Sequence, residues 1–477
     1  MFETGIRQFR MAMAMMWGWH IKPRIIEHMV ADTLKTLEEF GTAGDDVQQL
    51  LDGPFTDPVA RKEYQVRMVQ HTARRLLRRS PYYSKLFATH DINPDTLTLE
   101  TISRIPLTRK AQLLEQPEDF VCTGVQPAIA TRTTGTTGLP AEIWLSKYEI
   151  DLWPALAALS GLLRGELLPT DRWQINISSR ATAAIQIDAT IARLAGIPIS
   201  LLGIIPVAES LDLLAAGDER APTLLSTYPS YLARLLNEAR RRGLSPAAFR
   251  LRRIDCGGEV LSQALRRAAT ETFGPGLVND AYGMTEILPM GARICNQGHL
   301  HHDLNVGFVE VIDPESGLPA ASGEPGSLVI TPYYPYRECM PVFRYDTRDI
   351  VRNLLDEPLT CDLAGTSATS NILGKASNLL RVQEQWVTTR DLVEVYEALP
   401  SHPWPARFSA RAVGDHIEMV VSEEALDQGV TRAQIERRYQ ERGLDVRIVD
   451  CVTHEQDLIQ LRPLRADLLE TTFARRT

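Results

Sequence analysis

Residues Thr133 to Pro140 read Thr-Thr-Gly-Thr-Thr-Gly-Leu-Pro. Such a loop cannot build a core. It offers hydroxyl and backbone N–H donors, and its glycines admit close backbone approach, which suits a polyphosphate. No Gly-Lys-Ser/Thr closes it, so it is not a Walker A loop. A flexible polar turn is the plain alternative. Three further groups follow: Cys256-Gly257-Gly258-Glu259, then Tyr282-Gly283-Met284-Thr285-Glu286 after Asn279-Asp280-Ala281, then Arg344-Tyr345-Asp346-Thr347-Arg348-Asp349. Asp349 is a carboxylate suited to accept both hydroxyls of a ribose, as in other nucleotide folds; a turn-capping role is its alternative. Tyr282 taken alone reads as a core tyrosine.

The elements that must position these groups change along the chain. Residues 1–100 read as helical, with Asp57 to Leu77 amphipathic and Ser80-Pro81-Tyr82-Tyr83 ending that helix. From about 170 to 290, strands at Gln174–Ile177, Pro198–Leu202, Thr223–Thr227 and Arg253–Cys256 alternate with helices at Ile187–Ala195, Tyr231–Arg242 and Ser262–Phe273. That alternation predicts a parallel sheet with covering helices. Residues 305–350 turn Val/Ile/Tyr-rich between Pro-Glu-Ser-Gly and Gly-Glu-Pro-Gly turns, and a small α/β unit follows from about 374.

Bulk properties exclude some classes. The chain has 477 residues and 44% hydrophobic content, enough for two or three cored domains. A net charge of -9 disfavours nucleic acid as partner. Six cysteines without a disulfide-like framework point to a reducing cytoplasm. No apolar run approaches the ~18 residues of a membrane span. The Met-rich stretch from Met11 to Trp19 reads as a packing helix.

In order and separation, the four motifs resemble the adenylate-forming (acyl-AMP) superfamily, and within it they look most like the phenylacetate–CoA ligase branch. The resemblance runs from about Glu63 to Glu397 and includes Ile105-Pro106-Leu107-Thr108 and Gly298-His299-Leu300-His301. It implies an α/β fold. A large multi-subdomain N-terminal region with parallel sheets would cover 1–373, with a helical extension over 1–60 and a β-rich part over 305–350. A small mobile α/β lid would cover 374–477. It also implies an ATP-dependent ligase that activates a carboxylic acid as acyl-AMP. Thr133 and Thr136, with Thr134, Gly135, Thr137 and Gly138, would hold the leaving phosphates. Glu286 would bind Mg²⁺, Tyr282 would pack on adenine, and Gly257 and Gly258 would let the base approach. Glu259, Asp280, Gly283, Thr285 and Lys375 complete the implied nucleotide set, with Asp349 on the ribose. The acyl pocket would be lined by Ser178, Ile185, Gln186, Ser226, Tyr228 and Tyr231, favouring an aryl or arylacetic acid. Arg180 would pair a second acidic group or serve as a surface arginine.

The chain departs from that pattern at several points. Leu139 stands where the branch carries lysine, Ser377 takes the hinge position, and Glu384 stands where a glycine lets the thiol arm of CoA approach. The family's late lysine is absent: Lys375 is the last in the chain. Arg462 and Arg465 lie where it would be expected, as substitutes or as solvated surface. These departures favour transfer of the acyl group to something other than CoA: a carrier-protein thiol, an amine or another nucleophile, as in secondary metabolism. A conventional aryl–CoA ligase and a non-catalytic scaffold member are the alternatives. Cys295, His301 (or His299) and Cys361 offer three ligands for Zn²⁺, one short of a structural site; ordinary thiols and histidines are the alternative. An acyl carrier protein and a second copy of the chain are the expected macromolecular partners.

Overall fold

The computed structural model describes residues 2–44, 57–133, 140–363, 366–383, 385–400, 404–423, 426 and 429–452. The chain divides into two compact units. One comprises Met1–Ile204, Ala281–Thr347 and Arg352–Thr369; the other comprises Ile205–Asp280, Arg348–Val351 and Ser370–Thr477. The expected division is 1–373 and 374–477, whereas the second unit combines residues 205–280 and 348–351 with 370–477.

In the first unit the helix Pro58–Arg79 is capped by Asp57, whose side chain accepts from the Val59 N–H at 2.9 Å. It buries Tyr64, Met68, Val69, Thr72, Ala73 and Leu76, one face at helical spacing. Ser80 ends it and caps the next helix, Pro81–Thr89, with Pro81 in the first turn. The proline therefore stops one helix and starts another, since the missing N–H costs nothing at that position. The Met-rich helix Phe2–Trp17 is tied to the helix Pro23–Phe40 by Arg7 and Asp32 at 3.0 Å. Among the described residues, no helix is long and apolar enough to cross a membrane.

The strands Pro127–Arg132 and Glu142–Ser146 form an antiparallel hairpin, with Arg132 opposite Glu142 next to the Thr/Gly loop. Trp173–Asn176 and Ile199–Leu201 pair in parallel, joined through the helix Thr182–Ala195. Gly307–Ile312 and Pro325–Pro332 pair antiparallel in the expected β-rich part.

In the second unit Leu224–Thr227 pairs in parallel with Arg253–Gly257 through the helix Pro229–Arg241. Leu225, Leu232, Leu236, Ile254, Leu265 and Phe273 form its core. Towards the C-terminus Phe408–Val413 pairs antiparallel with His416–Ser422, which pairs in parallel with Val446–Val452. The helices Thr389–Tyr396 and Arg432–Gln440 belong to the same small α/β part; Tyr396, Phe408, Ile417, Ile435 and Tyr439 share a second core.

Candidate functional site

The first unit carries the loop neck and the motif glutamate. Thr133 is buried; its N–H donates to the Ala141 carbonyl and its hydroxyl accepts from the Ala141 N–H, both at 3.0 Å. These bonds close the neck of the Thr/Gly loop. Thr134, Gly135, Thr136, Thr137, Gly138 and Leu139 lie outside the described residues, as do Glu384, Arg462 and Arg465.

Tyr282 and Gly283 end the strand Leu277–Gly283, and Tyr282 is half-buried, with its hydroxyl 3.7 Å from the Met284 sulfur. The next turn, Thr285–Ile287, buries Glu286, and the Tyr345 hydroxyl donates to its Oε1 at 3.4 Å. Arg337 is fully buried in this unit. Its Nε donates to the Met340 carbonyl at 3.0 Å and lies 3.8 Å from the Glu149 carboxylate. Burial lowers its pKa, while the charges of Glu149, Cys339 and Glu286 act the other way. Its two terminal nitrogens have no hydrogen-bond partner among the described residues.

Ser178 and Gln186, also in this unit, are half-buried. The Ser178 hydroxyl accepts from the Arg180 N–H at 3.2 Å, and Arg180 itself is exposed.

The second unit holds the remaining nucleotide and pocket residues. Gly258 has φ +78°, and a Cβ there would lie 3.3 Å from the Tyr228 ring. Gly258 thus satisfies a left-handed turn packed under an aromatic face. Glu259 is fixed by the Ser230 N–H at 2.8 Å and hydroxyl at 3.0 Å. Tyr231 lies in the core with its hydroxyl on the Ile205 carbonyl at 2.8 Å, so it serves packing, whereas Tyr228 is half-buried at the helix start.

Asp280 is buried and paired with Arg390 at 3.2 Å. Burial raises its pKa, with Arg390 and Arg266 pulling the other way. Arg390 also donates to the carbonyls of Leu261 at 2.9 Å and Ile372 at 2.8 Å. It links the segments after the Gly257–Glu259 turn and before Gly374. Asp349 and Lys375 face each other across paired strands, Nζ to Oδ1 at 2.7 Å. Ser377, at the expected hinge, is exposed.

Cys295, His299, His301 and Cys361 place their ligand atoms within 4.8 Å of one another. Both histidines join, so the three-ligand expectation is corrected to four. The Cys295 N–H donates to the His299 carbonyl at 3.0 Å, making a tight turn between Gly291–Ile294 and Leu300–His302. The His301 Nδ1 meets the Thr366 hydroxyl at 2.8 Å, which leaves its Nε2 3.3 Å from the Cys361 sulfur. The His299 Nδ1 is buried without a partner among the described residues. Two thiols and two imidazoles fit a tetrahedral structural zinc, and the Thr366 contact is the outer hydrogen bond such a histidine needs.

Sequence reasoning missed Arg337 with Glu149, Arg390, and the buried pair of Arg344 with Glu310 at 2.9 Å. A signal existed for the last: a lone carboxylate in the apolar run Val309-Glu310-Val311 demands a buried partner.

By its family and its relatives, the chain is an ATP-dependent adenylate-forming ligase. The AMP-binding enzyme family model matches residues 71–334, more than half of the chain, and the chain belongs to that family. It is similar to the phenylacetate-coenzyme A ligase of Thermus thermophilus, with 27% identity over 397 residues, 80% of this chain and 84% of that one. The phenylacetate-coenzyme A ligase of Pseudomonas putida is 25% identical over 80% of this chain and 87% of its own length. In fold, the chain resembles 2-hydroxyisobutyryl-CoA ligase in complex with 2-HIB-AMP, with TM-score 0.72, 17% identity and coverage of 88% and 92%. ATP-bound MatB from Rhodopseudomonas palustris gives TM-score 0.54 at 19% identity, covering 73% and 68%.

Proposed function

We propose that the protein converts an aromatic carboxylic acid into its acyl-AMP and then into the CoA thioester. The observation that carries the first step is the ordered set of Thr/Gly loop, Glu286 and Asp349, with Asp349 held by Lys375 at 2.7 Å. In that step a carboxylate oxygen attacks the α-phosphorus of ATP, and the bond to the β-phosphate oxygen breaks. Pyrophosphate leaves toward the threonine-rich loop. Glu286 would hold the Mg²⁺ that offsets its charge, and Asp349 would take the ribose hydroxyls. In the second step the CoA thiol loses its proton and attacks the acyl carbon, and AMP departs. In this reading Ser178 and Gln186 of the first unit contact the acyl group, and the adenine packs on Tyr282.

Similarity to proteins named phenylacetate-coenzyme A ligase, at coverage above four fifths of their length in two cases, supports CoA as acceptor. It outweighs the expectation of a non-CoA acceptor. One specific feature favours that second reading: Glu384 replaces the expected glycine, and no lysine follows Lys375. The test is pyrophosphate release with ATP, Mg²⁺ and a panel of aryl acids, with CoA omitted and then added. Acid-dependent release that accelerates with CoA supports the ligase reading. Release that CoA leaves unchanged, but an amine or carrier thiol accelerates, supports the second. No release with any acid contradicts both.

A further inference from the structure

The first unit contains a cavity of 380 Å³ at the end of the Pro127–Arg132/Glu142–Ser146 hairpin remote from the Thr/Gly loop. Its walls include His20, Arg75, Ser146, Tyr148, Tyr334 and Glu338. The hairpin separates it from the loop neck by roughly 17 Å, the five steps of strand rise from Ser146 to Ala141.

The Arg75 guanidinium lies over the Tyr334 ring at 4.9 Å. It has no hydrogen-bond or ion-pair partner among the described residues, and its Nε is buried without one. Glu338 lies on the same cavity and is already committed elsewhere. It accepts from the Ser146 hydroxyl at 2.8 Å and pairs with the His20 Nε2 at 3.2 Å. The two opposite charges therefore share one space without meeting. The His20 ring stacks on Tyr148 at 4.4 Å and 16°, and the Tyr148 hydroxyl receives the Ile21 N–H at 3.3 Å. The segment after the Met-rich helix thus builds one wall.

We propose that this cavity is a second ligand site, distinct from the nucleotide residues, for a small aromatic carboxylic acid bearing a ring hydroxyl or amine. The planar guanidinium, fixed by Tyr334, presents a fork matched to a carboxylate. The tyrosine and histidine rings supply flat surfaces for an aromatic ring. Glu338 retains acceptor capacity for a ring donor, since an ionised carboxylate has about four lone-pair sites. The volume suits a molecule of that size.

The probe is 3-bromo-4-hydroxybenzoate, with the full-length protein saturated with α,β-methylene-ATP, whose α–β bridge cannot be broken, and free of CoA. Crystals soaked with it are expected to show anomalous bromine density in the cavity, with the carboxylate on Arg75. Calorimetry should resolve a binding event that weakens at least tenfold in both Arg75→Gln and Arg75→Lys, the lysine keeping charge but losing the fork. His20→Ala should weaken the same event, with adenylation unchanged. Inorganic phosphate should not displace the probe. Bromine absent from the cavity, or an isotherm identical in wild type and both Arg75 variants, overturns the proposal. Displacement by phosphate overturns the aromatic carboxylate as its ligand class.

Discussion

Asp349 is held by Lys375, the last lysine of the chain, through a 2.7 Å contact across paired antiparallel strands. The carboxylate assigned to the ribose is thereby fixed before any nucleotide arrives. Asp349→Ala is expected to weaken ATP binding by about ten- to a hundredfold, the loss of charge-assisted hydrogen bonds. Lys375→Gln should weaken it less, because the carboxylate remains. Calorimetric titration with ATP and Mg²⁺ decides; an unchanged affinity in Asp349→Ala removes the ribose assignment.

The four-ligand cluster predicts bound metal. Elemental analysis of the purified protein should find about one zinc per chain. Cys361→Ser should lose it and lower the melting temperature, and chelation of the wild type should do the same. Metal-free protein of unchanged stability after chelation would make these residues ordinary buried thiols and imidazoles.

Glu397 supplies a pH dependence. It is buried, bonded to the Ser262 hydroxyl, and burial pushes its pKa up to about 7. The folded state then holds a proton that the unfolded state has released, over the window from the ordinary carboxylate range to about 7. Stability from this group is complete below that window and falls as pH rises through it. Glu397→Gln should therefore flatten the decline. Its stability advantage over wild type should grow between about pH 5 and 7 and level off above. Calorimetric scans across pH 4.5–8.5 would show it; parallel curves for the two proteins would refute the assignment.

Arg337 and Glu149 form a buried pair that no single removal should tolerate. Glu149→Leu is expected to cost about 3–5 kcal/mol, because it leaves a buried guanidinium uncompensated. The double variant with Arg337→Leu should recover much of that loss. Denaturant unfolding of both variants measures it, and additive losses would show that the two charges are not coupled.

Much of this organisation is legible in the sequence where local chemistry decides structure. Strands at Gln174–Ile177 and Arg253–Cys256 appear within a residue of their ends, because apolar β-branched runs and flanking helices specify them. Pro81 marks a boundary correctly, though it also opens a helix. Long-range partners are less legible. Arg390 bonds segments more than a hundred residues apart, and nothing in its neighbourhood announces Asp280 or Leu261. Tyr231 looks like a pocket aromatic, yet it sits at a core position of an amphipathic helix, where its spacing with Leu235 and Leu232 could have placed it. His299 was legible only as an alternative to His301, because a tight turn, not spacing, brings both to the cysteines.

The acceptor can be tested by restoring the glycine. Glu384→Gly should raise the CoA-dependent rate if the carboxylate obstructs the thiol path, with adenylation unchanged. A rate that does not rise would show that residue 384 does not limit thiol access.

The central claim is attack by a carboxylate on the α-phosphorus of ATP. Incubation with an aryl acid labelled with ¹⁸O in both carboxylate oxygens, followed by mass spectrometry of the AMP, tests it directly. One ¹⁸O in the AMP formed on CoA addition, with none in pyrophosphate, is the predicted result. Unlabelled AMP, or label in a phosphate from the terminal position, would contradict adenylation.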